Sequence, residues 1–261
     1  MDEIGENMKK KIPCRVLENK EIAKDIFDMR IDAKDIAKEA KCGQFVALYS
    51  KDKSRMLPRP ISLCGIDREK GELRLVFRIA GAGTAEFAKL TAGDDIEVMG
   101  PLGNGFTDLG KKAILFGGGI GIPPMLELAK SLKERPIVVL GYRDSHNFLA
   151  DEFAKVADVY IATDDGSVGT KGNVIDAAKA AVLKGEAIYA CGPTPMLRGV
   201  KAFGEELCVP TYISMEEKMA CGIGACLACV CKSKETDEHT NVHNKRICKE
   251  GPVFEAGEVE L

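Results

Sequence analysis

Half of the cysteines of this chain lie in its last 41 residues, and this feature limits most strongly how the chain can fold. The other five are scattered through the preceding sequence. A secreted disulfide framework would spread its cysteines through a short chain. The charged sequence before Cys14 also lacks the apolar stretch of a signal peptide. We therefore expect a cytoplasmic protein whose clustered cysteines bind metal or perform redox chemistry.

The clustered cysteines follow the spacing C-x4-C-x2-C, with a fourth cysteine after eighteen more residues: Cys221, Cys226, Cys229 and Cys248. This spacing is typical of plant-type [2Fe–2S] sites. The glycines and alanines between them let the backbone wrap closely and turn its N–H groups toward anionic sulfur. We predict these four cysteines as iron ligands. Cys231 is predicted to be a bystander, because Cys229 already completes the x2 spacing.

A structural zinc site is the alternative for these cysteines. Cys226 and Cys229 with His239 and His243 form finger-like pairs, but only nine residues separate the pairs, against about twelve in zinc fingers. A four-cysteine zinc site that includes Cys221 stays open. In that case the chain would be a metal- and nucleotide-binding sensor without enzymatic activity. The colour of the purified protein would distinguish the two, since zinc does not absorb visible light.

Composition excludes several other classes of protein. The formal net charge is −3, with 45% apolar and 30% charged residues, which is ordinary for a globular protein. This balance argues against nucleic-acid binding, which normally requires a strongly basic domain. No apolar run approaches the roughly 18 residues of a membrane span. We therefore expect no nucleic-acid partner and no membrane partner.

The pattern of short apolar runs divides the chain into three segments, 1–110, 111–214 and 215–261. The first segment contains short β-type runs separated by turns, which predicts an antiparallel barrel or sandwich. The predicted strands are Arg15–Asn19, Ile26–Ile31, Gln44–Tyr49, Ile61–Ile66, Leu73–Ile79 and Asp95–Met99, with a helix over Thr84–Leu90.

In the second segment strands alternate with helices, which predicts a parallel sheet covered on both faces. The predicted strands are Ala113–Phe116, Ile137–Tyr142, Asp158–Thr163 and Ala187–Cys191, and the helices are Pro123–Lys133, Phe148–Lys155 and Val174–Leu183. The third segment has few core-forming residues, so a metal centre would supply part of its folding free energy. The predicted fold class is thus multidomain, α+β and α/β, with a small C-terminal cluster domain.

Two motifs in the first segment could bind a phosphate-containing cofactor. Arg59, Pro60, Ile61 and Ser62 stand at the start of a strand, where the arginine offers a planar fork to a pyrophosphate. Gly81 to Thr84 precede a short helix, whose first N–H groups can bind phosphate. Alternatively, Arg59 is a surface ion-pair partner and Gly83 and Thr84 form an ordinary helix cap.

Two loops in the second segment suggest a nucleotide site. A glycine-rich turn follows the first strand and precedes a helix, with Gly118, Gly119 and Gly121 as its central members. Cys191, Gly192 and Pro193 follow the last predicted strand, at the same carboxyl edge of the sheet. A tight turn without a ligand is the alternative. Arg143 and Asp144 favour opposite cofactors, so the choice between NAD and NADP stays open.

These elements, in this order, resemble the ferredoxin–NADP reductase superfamily. The cluster loop from Met219 to Cys229 and the tail from Cys248 to Phe254 narrow the resemblance to the electron-transfer subunits of type B dihydroorotate dehydrogenases. The stretch from Thr163 to Gly172 is also similar to that family. The resemblance implies a flavin-binding β-barrel domain, a nucleotide-binding α/β domain and a [2Fe–2S] domain.

The resemblance also implies cofactors, partner and site residues. FAD would be bound by Arg59, Pro60, Ile61, Ser62, Val76, Phe77, Arg78, Gly83 and Thr84, and NAD by Gly118, Gly119, Gly121, Cys191, Gly192 and Pro193. A separate catalytic, FMN-containing subunit would oxidise dihydroorotate in a heterotetramer of pyrimidine biosynthesis. Its electrons would pass through the cluster and FAD to NAD⁺. The polar stretch from Lys232 to Arg246 would be an exposed loop beside the cluster, although a solvated loop without a partner is equally compatible. The alternative function is an NAD(P)H:ferredoxin or polysulfide oxidoreductase subunit.

Overall fold

The computed structural model describes residues 11–234, 236 and 242–261. Its amino-terminal part is a closed antiparallel barrel with the strand order β1-β2-β5-β4-β3-β6. Closure pairs every strand on both sides and leaves no free edge. The strands are β1 (Lys11–Ala23), β2 (Ile26–Asp32), β3 (Phe45–Tyr49), β4 (Arg59–Asp67), β5 (Glu72–Arg78) and β6 (Asp95–Leu102).

The strands of the barrel alternate between its interior and its outer face. On β5, Leu73, Leu75 and Phe77 are buried in the barrel core, while Arg74, Val76 and Arg78 point outward. Two six-residue helices accompany the strands, α1 (Lys34–Glu39) and α2 (Ala82–Phe87). The predicted strands are confirmed, and the choice between barrel and sandwich is settled as a barrel. The helix predicted over 84–90 begins and ends earlier, and α1 was not predicted because it is short.

A sheet of seven strands follows, in the order β10-β9-β8-β7-β11-β12-β15. Its strands are parallel except at the last position, where β15 runs antiparallel to β12. The parallel strands are β7 (Ala113–Gly118), β8 (Ile137–Tyr142), β9 (Asp158–Thr163), β10 (Thr170–Lys171), β11 (Ala187–Cys191) and β12 (Thr211–Ser214). The helices are α3 (Ile122–Ser131), α4 (Ala150–Val156), α5 (Val174–Ala180) and α6 (Thr194–Leu207).

The predicted parallel sheet is confirmed, with additions. Helix α6 and strands β10 and β12 were not predicted. The stretch from Cys191 to Met196 was predicted as a loop after the last strand, but α6 begins within it at Thr194. A proline in the first helical turn is favourable because its missing N–H would have no intrahelical acceptor.

The carboxyl-terminal part packs against both the barrel and the sheet. It contains β13 (Val230–Lys232) and β14 (Asn244–Arg246), which form a small antiparallel pair, and β15 (Val253–Glu255). Phe254, Ile247 and Cys248 share one buried cluster with Phe45 and Leu102 of the barrel and with residues of the sheet. The stretch 232–246 was predicted as a loop, but both of its ends belong to strands. Residues 235 and 237–241 of this stretch lie outside the described residues.

Within the described part of the chain, no helix is long and apolar enough to cross a membrane. The segment boundaries at 110 and 214 stay predictions.

Candidate cofactor and cluster sites

A cleft of about 1770 Å³ lies between the barrel and the parallel sheet, and all the residues predicted to bind FAD or NAD line it. The barrel supplies the start of β4, the end of β5 and the turn before α2. The sheet supplies the turns after β7 and β11. Val230 and Cys231 of the carboxyl-terminal part also border the cleft. The fold therefore brings two sets of residues far apart in sequence to one site.

On the barrel wall, Arg59 lies directly against Gly83. A Cβ on Gly83 would stand 2.5 Å from the Nε of Arg59, so only glycine leaves room for the guanidinium. One Nη of Arg59 donates to the carbonyl of Leu57. In the part of the chain that the structure describes, Arg59 forms no ion pair, so the alternative of a surface ion pair finds no support here. Its binding role stays a prediction.

Thr84 caps the turn before α2. Its hydroxyl accepts hydrogen bonds from the N–H groups of Ala80, at 2.9 Å, and Gly81, at 3.2 Å, and donates to the carbonyl of Gly81. The side chain thus has the capping function that the sequence analysis gave as an alternative. A contact between this turn and a phosphate would use backbone N–H groups at the start of α2, which have no intrahelical acceptor.

On the sheet wall, the glycines after β7 pack against the turn after β11. A Cβ on Gly121 would stand 2.4 Å from the carbonyl oxygen of Cys191, and one on Gly118 would stand 2.4 Å from the Sδ of Met196. Gly119 has a φ of +54°, which favours glycine. Close packing of the two turns therefore explains Gly118 and Gly121 without a ligand, and their contact with a nucleotide stays a prediction.

Cys191 ends β11 at the floor of the cleft. Burial raises the pKa of its thiol to about 12, against a smaller opposing effect of the hydrogen bond with Ser214. The thiol is therefore protonated at neutral pH and is a poor nucleophile. This agrees with a site in which bound cofactors, rather than a covalent intermediate, supply the chemistry.

The four predicted iron ligands form two pairs of sulfurs. The backbone N–H of Cys248 donates to the Sγ of Cys229 at 3.4 Å, and the neighbouring Cys226 is one of the groups that lower the pKa of Cys221. A mononuclear zinc site needs four ligands around one ion, whereas each iron of a [2Fe–2S] cluster takes two protein ligands. The pairs therefore fit a two-iron cluster. His239 of the zinc alternative lies outside the described residues.

Backbone N–H groups point at these sulfurs. Ile223 and Ala225 donate to the Sγ of Cys221 at 3.5 and 3.3 Å, and Gly224 donates to the Sγ of Cys248 at 3.1 Å. Desolvation raises the pKa of Cys221, but these and neighbouring hydrogen bonds outweigh it and lower the pKa to about 7. The loop thus stabilises sulfur as an anion, the form that binds iron.

The two cysteine pairs differ in exposure to solvent. We call Cys221 and Cys226 the outer pair, and Cys229 and Cys248 the inner pair. Cys226 is exposed and Cys221 is half-buried, while Cys229 and Cys248 are only 2% and 3% exposed. Burial, and then the neighbouring Cys229 sulfur, raise the pKa of Cys248 to about 12. The inner pair is therefore anchored in the protein core and the outer pair faces solvent.

An ion pair that the sequence analysis missed supports the cluster loop. Arg246 donates to the carbonyl of Gly224 at 3.0 Å and forms a bidentate pair with Glu250. The Arg246 side chain is 12% exposed. An i,i+4 pair of this kind was visible in the sequence, but its contact with Gly224, 22 residues away, required the fold.

The comparisons with known proteins agree with this geometry. Residues 13–106 match the family model described as an oxidoreductase FAD-binding domain. Residues 216–260 match the model of the iron–sulfur cluster binding domain of dihydroorotate dehydrogenase B. The fold and the two sites thus define a flavin- and iron–sulfur-dependent oxidoreductase component.

Relatives and a solved structure narrow this class. The chain is 43% identical to the dihydroorotate dehydrogenase B (NAD⁺) electron transfer subunit of Fusobacterium nucleatum, covering 95% of this chain and 98% of that one. It is 42% identical to the corresponding subunit of Listeria monocytogenes, with the same coverage. A solved structure of an NADH-dependent reduced ferredoxin–NADP oxidoreductase, studied for flavin-based electron bifurcation, matches with a TM-score of 0.85 and 31% identity over 97% of this chain and 91% of that one.

This chain belongs to the family of electron-transfer subunits of dihydroorotate dehydrogenase B. It is an oxidoreductase component that uses FAD and an iron–sulfur cluster. The predicted family, fold class and cofactors are confirmed. For NAD, the confirmation is that the names of the relatives include NAD⁺. The individual binding residues stay predictions. The family also implies a catalytic partner subunit.

Proposed function

We propose that this chain transfers electrons from a separate, FMN-containing dihydroorotate-oxidising subunit to NAD⁺, through a [2Fe–2S] cluster on its four cysteines and FAD in its cleft. The observation that carries this proposal is that the barrel wall, the glycine turns and residues beside the cysteine loop border a single cleft. A bound flavin exchanges both single electrons and hydrides, which links a one-electron cluster to a nicotinamide.

The barrel wall would bind the flavin. Gly83 leaves room for the guanidinium of Arg59 at the edge of the cleft, where its remaining N–H groups can donate to a pyrophosphate. Ser62 lies on the same strand and borders the same cleft. Its hydroxyl can donate to or accept from the edge of the isoalloxazine ring.

The sheet wall would bind the nicotinamide nucleotide. The ends of β8 and β9 bring the carboxylates of Asp144 and Asp164 to the cleft, together with Arg143. Carboxylates at this edge accept hydrogen bonds from ribose hydroxyls and repel a 2′-phosphate. The excess of acidic groups supports NAD over NADP.

The partner subunit would contact the cysteine loop. Ile223, Leu227 and Val230 are 49%, 46% and 37% exposed, beside the exposed Cys226. Exposed apolar side chains next to a redox centre are typical of a surface that another protein covers. Contact there would place the partner's own cofactor near the outer sulfur pair. In the heterotetramer, two copies of each subunit would repeat this contact.

The test is reconstitution with the cognate catalytic subunit. Each component by itself is expected to lack NAD⁺-dependent dihydroorotate oxidation, and the mixture is expected to show it. This chain with its cofactors should oxidise NADH with an artificial acceptor. Ile223→Glu with Leu227→Glu should abolish the joint activity and spare the artificial-acceptor activity. Val182→Glu, at an apolar residue 72% exposed elsewhere, is the matched control. An inactive mixture of fully loaded components would contradict the proposal.

A second function is favoured by the similarity to the NADH-dependent reduced ferredoxin–NADP oxidoreductase, whose coverage and TM-score are high. In that case the chain would exchange electrons between NAD(P)H and ferredoxin. Rapid reduction of ferredoxin from NAD(P)H, together with an inactive dihydroorotate mixture, would establish this function instead.

A further inference from the structure

A bridge of ion pairs joins the outer face of the barrel to the parallel-sheet part. Arg74 on β5 donates to both carboxylate oxygens of Asp28 on β2, at 2.9 and 2.7 Å. It also donates to both oxygens of Glu152 on α4, at 2.6 and 2.7 Å. A single guanidinium therefore holds two carboxylates, one from each part of the molecule, in bidentate geometry.

The barrel end of the bridge is shielded from water. The side chain of Arg74 is 12% exposed and that of Asp28 is 3% exposed, while Glu152 is partly exposed. Lys130 on α3 adds a second positive charge 3.9 Å from Glu152. The hydrogen bond with Arg74 is the main reason that the pKa of Glu152 is lowered. Buried, charge-assisted bonds of this kind allow little variation in geometry.

The same face of β5 leads from the bridge to the cleft. Arg74, Val76 and Arg78 alternate outward along the strand. Val76 packs in one apolar cluster with Ile122 of α3. Arg78 borders the cleft, and its Nη2 would lie 3.8 Å from a Cβ on Gly119. At about 3.3 Å per residue, Arg74 stands roughly 13 Å from Arg78 along the strand.

We propose that Arg74 and Glu152 are positioning residues for hydride transfer, because their bridge fixes the distance between the flavin wall and the nucleotide wall of the cleft. The inference rests on the proposed function, in which those walls bind FAD and NAD. In the proposed direction the step would be FADH₂ + NAD⁺ → FAD + NADH + H⁺, and reduction of FAD by NADH is its reverse. Hydride transfer requires reacting atoms about 3–3.5 Å apart, and a displacement of about 1 Å can lower the rate 100-fold. Interfaces between domains move unless they are fixed.

The experiment varies the sheet side of the bridge and leaves the buried Arg74–Asp28 pair intact. Glu152→Ala removes the bridge, and Glu152→Asp keeps the charge but shortens its reach by one methylene. Asp158→Ala is the matched control, because it breaks an ion pair with Arg135 that is exposed and lies within the sheet part alone. The measurements are the limiting rate of FAD reduction at saturating NADH without oxygen, the long-wavelength absorbance of the nicotinamide–flavin complex, FAD content and Tm.

The expected result is a fall of about 10- to 100-fold in the limiting rate for Glu152→Ala, with unchanged FAD content and a weaker long-wavelength band. The limiting rate of Glu152→Asp should lie between those of Glu152→Ala and the wild type, and the rate of Asp158→Ala should equal that of the wild type. Wild-type rates and absorbance in a Glu152→Ala protein with lowered Tm would overturn the proposal, since the bridge would then be structural only. If Glu152→Ala does not fold, the same comparison on Glu152→Asp decides. A wild-type holoprotein that NADH does not reduce would instead overturn the proposed function and this inference with it.

Discussion

The cleft and the cysteine loop are built on different scaffolds. In the cleft, the predicted cofactor residues stand on strands and turns of two sheets that are complete without any ligand. Around the cysteines, 221–229 form no helix or strand, and Gly222, Gly224 and Leu227 have positive φ. Regular hydrogen bonding stabilises the first site, whereas metal bonds would supply stability to the second. A change in the cleft should therefore weaken binding gradually, and a change among the cysteines should remove the site.

The same contrast recurs within the cysteine loop. The inner pair, Cys229 and Cys248, lies in the apolar cluster shared by the barrel and the sheet, while Cys226 of the outer pair is exposed. Loss of an outer ligand should affect the metal alone. Loss of an inner ligand should affect the metal and the packing beneath it.

The largest expected effect is that of Cys229→Ser compared with Cys226→Ser. Both variants should lose nearly all iron and the visible absorption of the cluster. With the metal removed from every protein, Cys229→Ser should also lower the free energy of unfolding by about 1–3 kcal/mol, because it buries a hydroxyl in an apolar cluster. Cys226→Ser should change it little. Iron content and denaturant unfolding measure the two effects, and equal losses of stability would contradict the difference between inner and outer pairs.

A substitution in the cleft should weaken cofactor binding without abolishing it, and Arg59→Ala tests this expectation. Loss of a charge-assisted contact worth about 1.5–3 kcal/mol should lower FAD affinity by roughly one to two decades and leave the cluster spectrum unchanged. Arg15→Ala is the control, because it removes an arginine whose ion pair with Asp95 is exposed on the same barrel. Titration of the flavin-free protein with FAD measures the affinity. Unaltered FAD retention would show that Arg59 does not bind the flavin.

A smaller effect is expected from Gly224→Ala, which tests the backbone of the loop. Gly224 has a φ of +85° and donates its N–H to the Sγ of Cys248. A side chain in this conformation costs about 1–2 kcal/mol. The variant should lose its cluster faster in the presence of a chelator. Gly257→Ala should behave as the wild type, because a Cβ there meets nothing within 4 Å. If Gly224→Ala and the wild type lost the cluster at equal rates, the backbone conformation at Gly224 would not contribute to cluster stability.

Local patterns predicted much of this molecule. Local spacing singled out the four cysteines, whose role as iron ligands stays a prediction. The strands of the barrel and most of the alternating strands and helices were recognisable because period, turn residues and spacing are properties of neighbouring residues. Contacts between residues far apart in the sequence were not recognisable from such patterns. Arg74 meets Asp28 and Glu152 across 46 and 78 residues, and β15 joins the parallel sheet beside β12. Nothing in the local sequence distinguishes these residues from others of their type, so only the assembled fold identifies the bridge.

The smallest effect is expected at the fifth cysteine of the loop region, Cys231. It lies on β13, and its thiol donates to the carbonyl of Lys245 at 3.5 Å rather than to a sulfur of either pair. A serine hydroxyl can make the same hydrogen bond, so Cys231→Ser should leave the visible spectrum and iron content nearly unchanged and shift the free energy of unfolding by less than about 1 kcal/mol. Absorbance, iron analysis and denaturant unfolding check this beside Cys229→Ser. If Cys231→Ser lost the cluster and Cys229→Ser kept it, the inner pair would have to be reassigned to Cys231 and Cys248.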